Sequence, residues 1–398
     1  MKRIISVLLC SALLLSLVAC DKDSTDTDTS SKASSISDKT SSESASSSLV
    51  VPTDNNYKET TYLLTQITEY FHITGRTAPA VSTLETGEQT GFLYDHAAQG
   101  LLFNADCEGD VTVTLSINAK GQSTNRFFTV YIDGVKQEPV VADVIPTADM
   151  IVKLKVASGL SKGKHLIEVF RNQENYYGDM TLLSVTMNGV PEKWVEDEDQ
   201  IKIEVIGDSI TCGNGITAVN GAADEEDVKH TNSVLAYPFV AARVLGAEIS
   251  VVGRSGLTNA NKAGTSKEPY YNGLSVIRYG NEQPYCHSKM DVDLYIVALG
   301  TNDYHAKLTN EQIIQDAITT MTTVRKDHPN AKILWVIPPK RNDDLYRSAV
   351  EQMGGAEKGF YFYCFETYNN KGGTYHPTAE AQQKMGEGLA AYIKTFVN

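Results

Sequence analysis

The 398 residues of this chain lack the sequence features of zinc-binding, nucleic-acid-binding and membrane-spanning proteins. No Cys-x-x-Cys pair occurs among the six cysteines, which argues against a structural zinc site. Lys and Arg number 35 against 49 Asp and Glu, and no basic stripe occurs, so nucleic acid is not an expected partner. Beyond the N-terminus, no apolar run is long enough to span a bilayer. The composition therefore predicts an acidic globular protein, of net charge −14, and no metal site is expected.

The first twenty residues have the pattern of an export signal. Met1-Lys2-Arg3 precedes an apolar run from Ile4 to Ala19, which is too short for a comfortable membrane span. The run ends in Leu17-Val18-Ala19-Cys20, which resembles a bacterial lipobox and implies cleavage before Cys20 and acylation of its thiol. Ordinary signal cleavage, with Cys20 incidental, is the alternative. We expect a signal peptide at 1–19 and a lipoprotein tethered to the membrane at the bacterial cell surface.

A tether is expected at residues 20–56. Of the 28 residues from 21 to 48, 16 are Ser or Thr and none is aromatic. Such a segment cannot bury enough apolar surface to fold, so it should be disordered and hold the folded part away from the membrane.

Residues 57–195 are predicted to form an all-β sandwich, with a jelly roll as the favoured version. Short runs alternate apolar and polar residues, and turn signals separate them. The predicted strands are 100–104, 111–117, 126–132, 150–156, 165–170 and 180–187. The turn signals are Glu108-Gly109-Asp110, Asp133-Gly134 and Ser161-Lys162-Gly163-Lys164.

Residues 196–398 are predicted to form an α/β domain with three layers. Apolar strands at 201–206, 248–252, 293–299, 332–337 and 360–365 alternate with helical segments. A capping box at Thr309–Gln312 opens one helix, and another is expected at 379–396. The alternation predicts a parallel sheet with helices on both sides, in which ligands bind beyond the carboxyl ends of the strands.

A serine lies just past the first of these strands. Gly207-Asp208-Ser209 follows the β-branched run at 203–206, which places the Ser209 hydroxyl on the turn that leaves the strand. Ser209 is the candidate nucleophile, provided that a base takes its proton. A helix N-cap is the alternative role for it. Cys212 and Ser255 are weaker candidates, since core packing and a backbone turn are their more common roles.

Three later segments supply what such a nucleophile needs. His376, in Tyr375-His376-Pro377, is a candidate general base. Gly253 and Asn302 each follow a predicted strand, so the Gly253 N–H and the Asn302 side chain can donate to a developing oxyanion together with the Ser209 N–H.

These four blocks resemble the SGNH, or GDSL-type, hydrolase superfamily, which is named for Ser, Gly, Asn and His. The superfamily usually has an aspartate three residues before the histidine, and here that position is Gly373. Together with the predicted sandwich, this departure is similar to the second carbohydrate esterase family, some of whose members lack the acid. In those members a backbone carbonyl next to the histidine orients the imidazole, and the Tyr375 carbonyl would match.

The resemblance implies deacetylation of plant polysaccharides such as xylan or mannan, with acetylated polysaccharide or oligosaccharide as substrate and no cofactor. The alternatives are an esterase for peptidoglycan or other acyl esters, and a catalytically weak carbohydrate-binding protein. Tyr304 and Tyr375 flank the catalytic segments and could stack on a sugar, whereas core packing is expected for Trp335. Buried free thiols are expected at Cys212, Cys286 and Cys364, although a disulfide among them is the alternative.

Overall fold

The computed structural model describes residues 56–84, 87–118, 125–143, 150–218, 228–259, 285, 290–303, 307–337, 343–366 and 372–397. The signal peptide, the lipobox and most of the tether lie outside these residues. So do Tyr304 and Cys286. In the described part of the chain, no helix is long and apolar enough to cross a membrane.

The first part of the described chain is antiparallel β-structure. It contains strands β1 Glu59–Leu63, β2 His72–Ile73, β3 Pro79–Leu84, β4 Gly87–Leu93, β5 Gly100–Ile117, β6 Arg126–Ile132, β7 Val135–Lys136, β8 Val140–Ala142, β9 Met150–Arg171 and β10 Met180–Glu192. The pairing order is β3-β4-β10-β5-β9-β6-β7, with β1 on β10, β2 on β5 and β8 on β6. One apolar cluster, which includes Phe103, Val113, Phe128, Ile167 and Leu182, forms its core.

Two of the predicted turns in this region are wrong. Strands β5 and β9 each run without a break through the segments that the sequence marks as turns at 108–110 and 161–164. Glycine explains the difference: Gly109 and Gly163 have φ of +75° and +149°, and the β5–β9 register shifts on both sides of Gly109. These glycines therefore allow bulges within long strands instead of ending them. Asp133-Gly134 does form a tight turn, between β6 and β7.

The second part alternates parallel strands with helices. Its strands are β11 Lys202–Gly207, β12 Glu248–Gly253, β13 Leu294–Ala298, β14 Lys332–Ile337 and β15 Phe360–Cys364. Its helices are α1 Tyr237–Leu245, α2 Asn310–Asp327, α3 Asp343–Gln352 and α4 Ala379–Ile393. The strand order is β12-β11-β13-β14-β15 and all pairs are parallel.

Helices cover both faces of this sheet. Val205 and Ile296 pack with residues of α1 and α4, whereas Ile206 and Val297, one position further on, pack with residues of α2 and α3. The capping box at Thr309 is present at the start of α2. The predicted fold class, an antiparallel β domain followed by an α/β domain with a parallel sheet, is confirmed.

A buried ion pair joins the two domains. Arg76, between β2 and β3, donates to Glu204 of β11 through Nε at 3.1 Å and Nη2 at 2.7 Å. Both side chains are 0% exposed, and the Ser250 hydroxyl of β12 also donates to Glu204. Nearby, Ala97 forms an antiparallel bridge with Val251, so the β domain pairs directly with edge strand β12.

Replacing Arg76 with methionine should destabilise the protein by roughly 3–5 kcal/mol, because Glu204 would stay buried without its cation. Chemical denaturation monitored by circular dichroism measures this loss. Adding Glu204→Met should recover most of it, since two apolar side chains do not need each other's charge. The exposed Lys384–Glu380 pair of α4 provides the control, and Lys384→Ala should change stability little. Equal effects of Arg76→Met and Lys384→Ala would contradict the prediction.

Candidate active site

The predicted nucleophile and base are in contact. The Ser209 side chain and the His376 ring are joined by a hydrogen bond of 2.7 Å between Oγ and Nε2. Ser209 follows the carboxyl end of β11, and His376 comes directly before the segment that opens α4. This is the distance at which an imidazole can take the proton of a serine hydroxyl.

The carbonyl that orients the histidine belongs to Gly373, not to Tyr375. His376 Nδ1 lies 3.0 Å from the Gly373 oxygen. A single 3₁₀ turn spans Gly373–Tyr375 and brings this carbonyl back toward the ring three residues later. The carbonyl therefore comes from the position at which the SGNH pattern is expected to have an aspartate. An Nδ1 hydrogen donated to it leaves Nε2 free to accept the serine proton.

Tyr375 lies next to His376, but its carbonyl is not the one that orients the ring. Its φ is +61° and the residue is 74% exposed. The ring is therefore accessible beside His376, and its role in sugar stacking stays a prediction. Trp335 is fully buried, as expected, and its indole N–H donates to the Leu299 carbonyl at 3.2 Å.

The loop that carries His376 rests on a glycine of the Ser209 segment. The Gly373 N–H donates to the Gly215 carbonyl at 2.8 Å. Gly215 has φ of +61°, and a Cβ at this position would lie 2.6 Å from the Gly373 oxygen. That oxygen is the acceptor for His376. The absence of a side chain at Gly215 therefore allows the base to approach the nucleophile.

The predicted oxyanion donors lie at the carboxyl ends of neighbouring strands. Gly253 ends β12 beside Gly207 of β11, and a Cβ on Gly253 would lie 2.7 Å from the Cys212 sulfur. Asn302 follows β13, and its Nδ2 donates to the Leu257 carbonyl at 3.0 Å and to Asp208 Oδ2 at 3.3 Å. The sheet thus brings the Ser209, Gly253 and Asn302 segments to one edge.

Asp208 is a buried carboxylate directly before the nucleophile. Burial raises its pKa to about 7, despite the hydrogen bond that it accepts from the Ile210 N–H. Its Oδ2 is the more distant of the two Asn302 partners. The side chain of Asn302 is therefore held in place before any substrate binds.

The rival nucleophiles have other roles. Cys212 is fully buried, and burial raises the pKa of its thiol well above the usual value, which disfavours the reactive thiolate. Cys107, Cys212 and Cys364 are free thiols. The Ser255 hydroxyl donates to a carboxylate, Glu174, and its contacts do not include a histidine among the residues that the structure describes.

One group in the described part of the chain has a metal-like donor set. His72, Glu196 and Glu248 place their ligand atoms within 4.8 Å of one another. His72 contacts Glu196 through Nδ1 at 3.1 Å and Glu248 through Nε2 at 3.2 Å. Burial lowers the pKa of His72, but the two carboxylates outweigh it and the net pKa is raised. This is the arrangement of an imidazolium between two carboxylates. Glu248 is the first residue of β12, so the group lies at the amino ends of the strands, whereas Ser209 follows a carboxyl end.

Comparisons with known proteins identify the families that the two domains match. Residues 205–384 match the GDSL-like Lipase/Acylhydrolase family, and residues 96–191 match the Carbohydrate esterase 2 N-terminal family. The chain joins a GDSL-like acylhydrolase domain to a carbohydrate esterase 2 N-terminal domain. It is a carboxylic ester hydrolase.

The relatives of this esterase include characterised enzymes. An acetylxylan esterase/glucomannan deacetylase of Cellvibrio japonicus is 25% identical over 248 residues, which cover 60% of this chain and 69% of that protein. An acetyl xylan esterase from the rumen bacterium Butyrivibrio proteoclasticus has the same fold, with a TM-score of 0.72, 15% identity, and coverage of 85% of this chain and 98% of that one. A family two carbohydrate esterase from Clostridium thermocellum, in complex with cellohexaose, has a TM-score of 0.67, 22% identity, and coverage of 82% and 98%.

Sequence reasoning did not find the Gly373 carbonyl or the Gly215 contact. The pair Gly372-Gly373, three to four residues before His376, could have indicated the carbonyl contact, because two glycines allow a tight turn beside another backbone. The role of Gly215 has no local signal, since its partner is more than 150 positions away in the sequence.

Gly215→Ala should lower kcat of the esterase at least about 10-fold, because its Cβ would displace the Gly373 carbonyl and with it the His376 ring. The measurement is steady-state hydrolysis of a small acetyl ester.

Gly246→Ala is the matched control. Gly246 has φ of +66° at the end of α1, close to the value at Gly215, but nothing lies within 4 Å of its Cβ position. Both alanines should cost about 1 kcal/mol of backbone strain, and only Gly215→Ala should lower kcat. A loss of kcat common to both variants would show that strain alone is responsible.

Proposed function

We propose that the protein removes acetyl groups from plant cell-wall polysaccharides of the xylan or mannan type. The contact between Ser209 and His376, with Gly373 behind the ring, carries the proposal. The naming of the Cellvibrio japonicus relative as an acetylxylan esterase/glucomannan deacetylase supports the substrate class. The cellohexaose complex of the Clostridium thermocellum esterase supports a carbohydrate ligand. The exposed ring of Tyr375 offers an apolar face for a sugar beside the nucleophile.

The reaction proceeds through an acyl-enzyme. Ser209 Oγ attacks the acetyl carbonyl carbon while His376 Nε2 takes the hydroxyl proton. The tetrahedral intermediate collapses, and His376 gives that proton to the departing sugar oxygen. A water molecule then attacks the acetyl-serine with His376 as base, which releases acetate and restores Ser209.

The developing negative charge is stabilised by hydrogen-bond donors at the carboxyl ends of the strands. The N–H groups of Ser209 and Gly253 and the amide of Asn302 supply them. Asn302 uses its hydrogens on Leu257 and Asp208 before substrate binds. The longer bond, to Asp208, is the one that the oxyanion replaces, since the better bond to Leu257 keeps the amide in place.

The wild-type protein should release acetate from acetylated xylan or acetylated glucomannan. Ser209→Ala and His376→Ala should each lower kcat by at least about 10³-fold, and the double variant should be little worse, because the two residues act as a unit. Acetate release, measured enzymatically or by NMR, tests both statements.

The control substrates are O-acetylated peptidoglycan and short-chain lipid esters. Faster turnover of these than of the plant polysaccharides would assign the protein to another esterase class. Binding of polysaccharide without acetate release would make it a carbohydrate-binding protein with a weak site. Full activity of Ser209→Ala would refute the mechanism.

We also propose that the protein is a lipoprotein of the bacterial surface, tethered through Cys20 and the Ser/Thr-rich residues after it. The mature chain should begin at a lipidated Cys20 and partition into detergent, as measured by mass spectrometry and phase separation. Cys20→Ala should abolish the partitioning. An unmodified mature chain that begins elsewhere would refute the anchor.

A further inference from the structure

One buried carboxylate of the β domain reaches the active-site edge of the α/β domain. Glu174, three residues after β9, is 0% exposed. It accepts the Ser255 N–H on Oε2 at 2.7 Å, and it accepts the Ser255 hydroxyl on Oε1 through a short hydrogen bond. Both oxygens of one carboxylate thus hold a single residue of the other domain.

Ser255 belongs to a tight turn that begins directly after Gly253. The Arg254 N–H donates to the Gly207 carbonyl at 3.0 Å, and the Leu257 N–H donates back to the Arg254 carbonyl at 3.2 Å. Gly256 has φ of +85°, which suits the turn. Asn214, which follows the nucleophile segment, donates to the Ser255 hydroxyl at 3.4 Å.

The two ends of this turn hold two of the predicted oxyanion donors. Gly253 provides its N–H at one end, and at the other end the Leu257 carbonyl accepts Nδ2 of Asn302 at 3.0 Å. A shift of Ser255 would therefore move both donors relative to Ser209. Donors that stabilise a transition state act only when they are fixed in advance.

A carboxylate suits this role better than a neutral acceptor. Burial raises the pKa of Glu174, and the two Ser255 donors and the charges of Arg254 and Arg171 offset only part of that rise. Hydrogen bonds to a carboxylate are shorter and stronger than those to a neutral oxygen, and they hold the turn more tightly.

We propose that Glu174 is a positioning residue of the esterase site, by which the β domain fixes the oxyanion donors of the α/β domain. The proposal rests on the esterase function proposed above, and it makes the β domain part of the catalytic unit. Glu174 does not touch the substrate; it acts through Ser255 and the turn from Arg254 to Leu257.

The test compares Glu174→Gln and Ser255→Ala with wild type on a small acetyl ester, which makes no sugar contacts. Each variant should lower kcat roughly 10-fold to 100-fold, with KM changed by less than about 3-fold, because the donors serve the transition state. The double variant should be no worse than the poorer single one, since both disrupt the contact between the Glu174 carboxylate and the Ser255 hydroxyl. A boronic acid, which forms a tetrahedral adduct with serine, should bind Glu174→Gln at least about 10-fold more weakly.

Glu168→Gln is the matched control. Glu168 is also a buried carboxylate of the β domain that pairs with the α/β domain, through Arg243 at 3.3 Å, but the contact lies away from the turn. Its kcat and boronate affinity should equal those of wild type. Thermal unfolding of all variants reports stability separately.

The outcomes separate the two proposals. A wild-type protein without esterase activity would refute the proposed function. An active wild type with Glu174→Gln and Glu168→Gln equal in kcat and boronate affinity would refute the positioning role. The same conclusion would follow if Ser255→Ala kept full kcat.

Discussion

The buried pair of Arg76 and Glu204 is the interaction on which the arrangement of the two domains depends. Neither side chain reaches water, so each charge is tolerable only while the other is present. Glu204 lies in β11, the strand that ends at the nucleophile segment, and Arg76 comes from the β domain. The esterase sheet therefore contains, in β11, a buried charge that pairs with an arginine of the β domain.

Other contacts also join the β domain to the α/β domain. The bridge from Ala97 to Val251 fixes edge strand β12, and the Ser233 hydroxyl donates to the Asn172 carbonyl at 2.8 Å before α1. Glu174 then reaches the turn after β12. The β domain matches a family model of its own. It nevertheless contacts β12, the start of α1 and the turn after β12, which together form the active-site edge.

The sequence allowed the α/β strands to be predicted almost to the residue, because each is a short run of mostly apolar or aromatic residues. The pairing of Ser209 with His376 was also predictable, since their neighbours restrict both the backbone and the chemistry. The lengths of β5 and β9 were not predictable. A glycine next to charged residues is typical of a turn, and the sequence does not show which strand pairs with it. Glu174 was not predictable either, for its role depends on Ser255, which lies 81 positions later in the chain.

The predicted oxyanion donors fall between these cases. Gly253 and Asn302 could be placed at strand ends from the pattern of the chain. The contacts that hold them, from Glu174 through Leu257, could not, because they arise only when two domains pack. Local sequence determines which groups are available at a site, and tertiary contacts determine whether they are held still.

The histidine partner in this protein is a main-chain oxygen, and that has an evolutionary consequence. A triad aspartate can be lost through a single nucleotide change, but the Gly373 carbonyl is present whatever codon occupies that position. Selection at this corner of the site therefore acts on the path of the backbone, through residues such as Gly215, and not on an acidic side chain. Scans that identify active esterases by their three catalytic side chains would overlook enzymes of this kind.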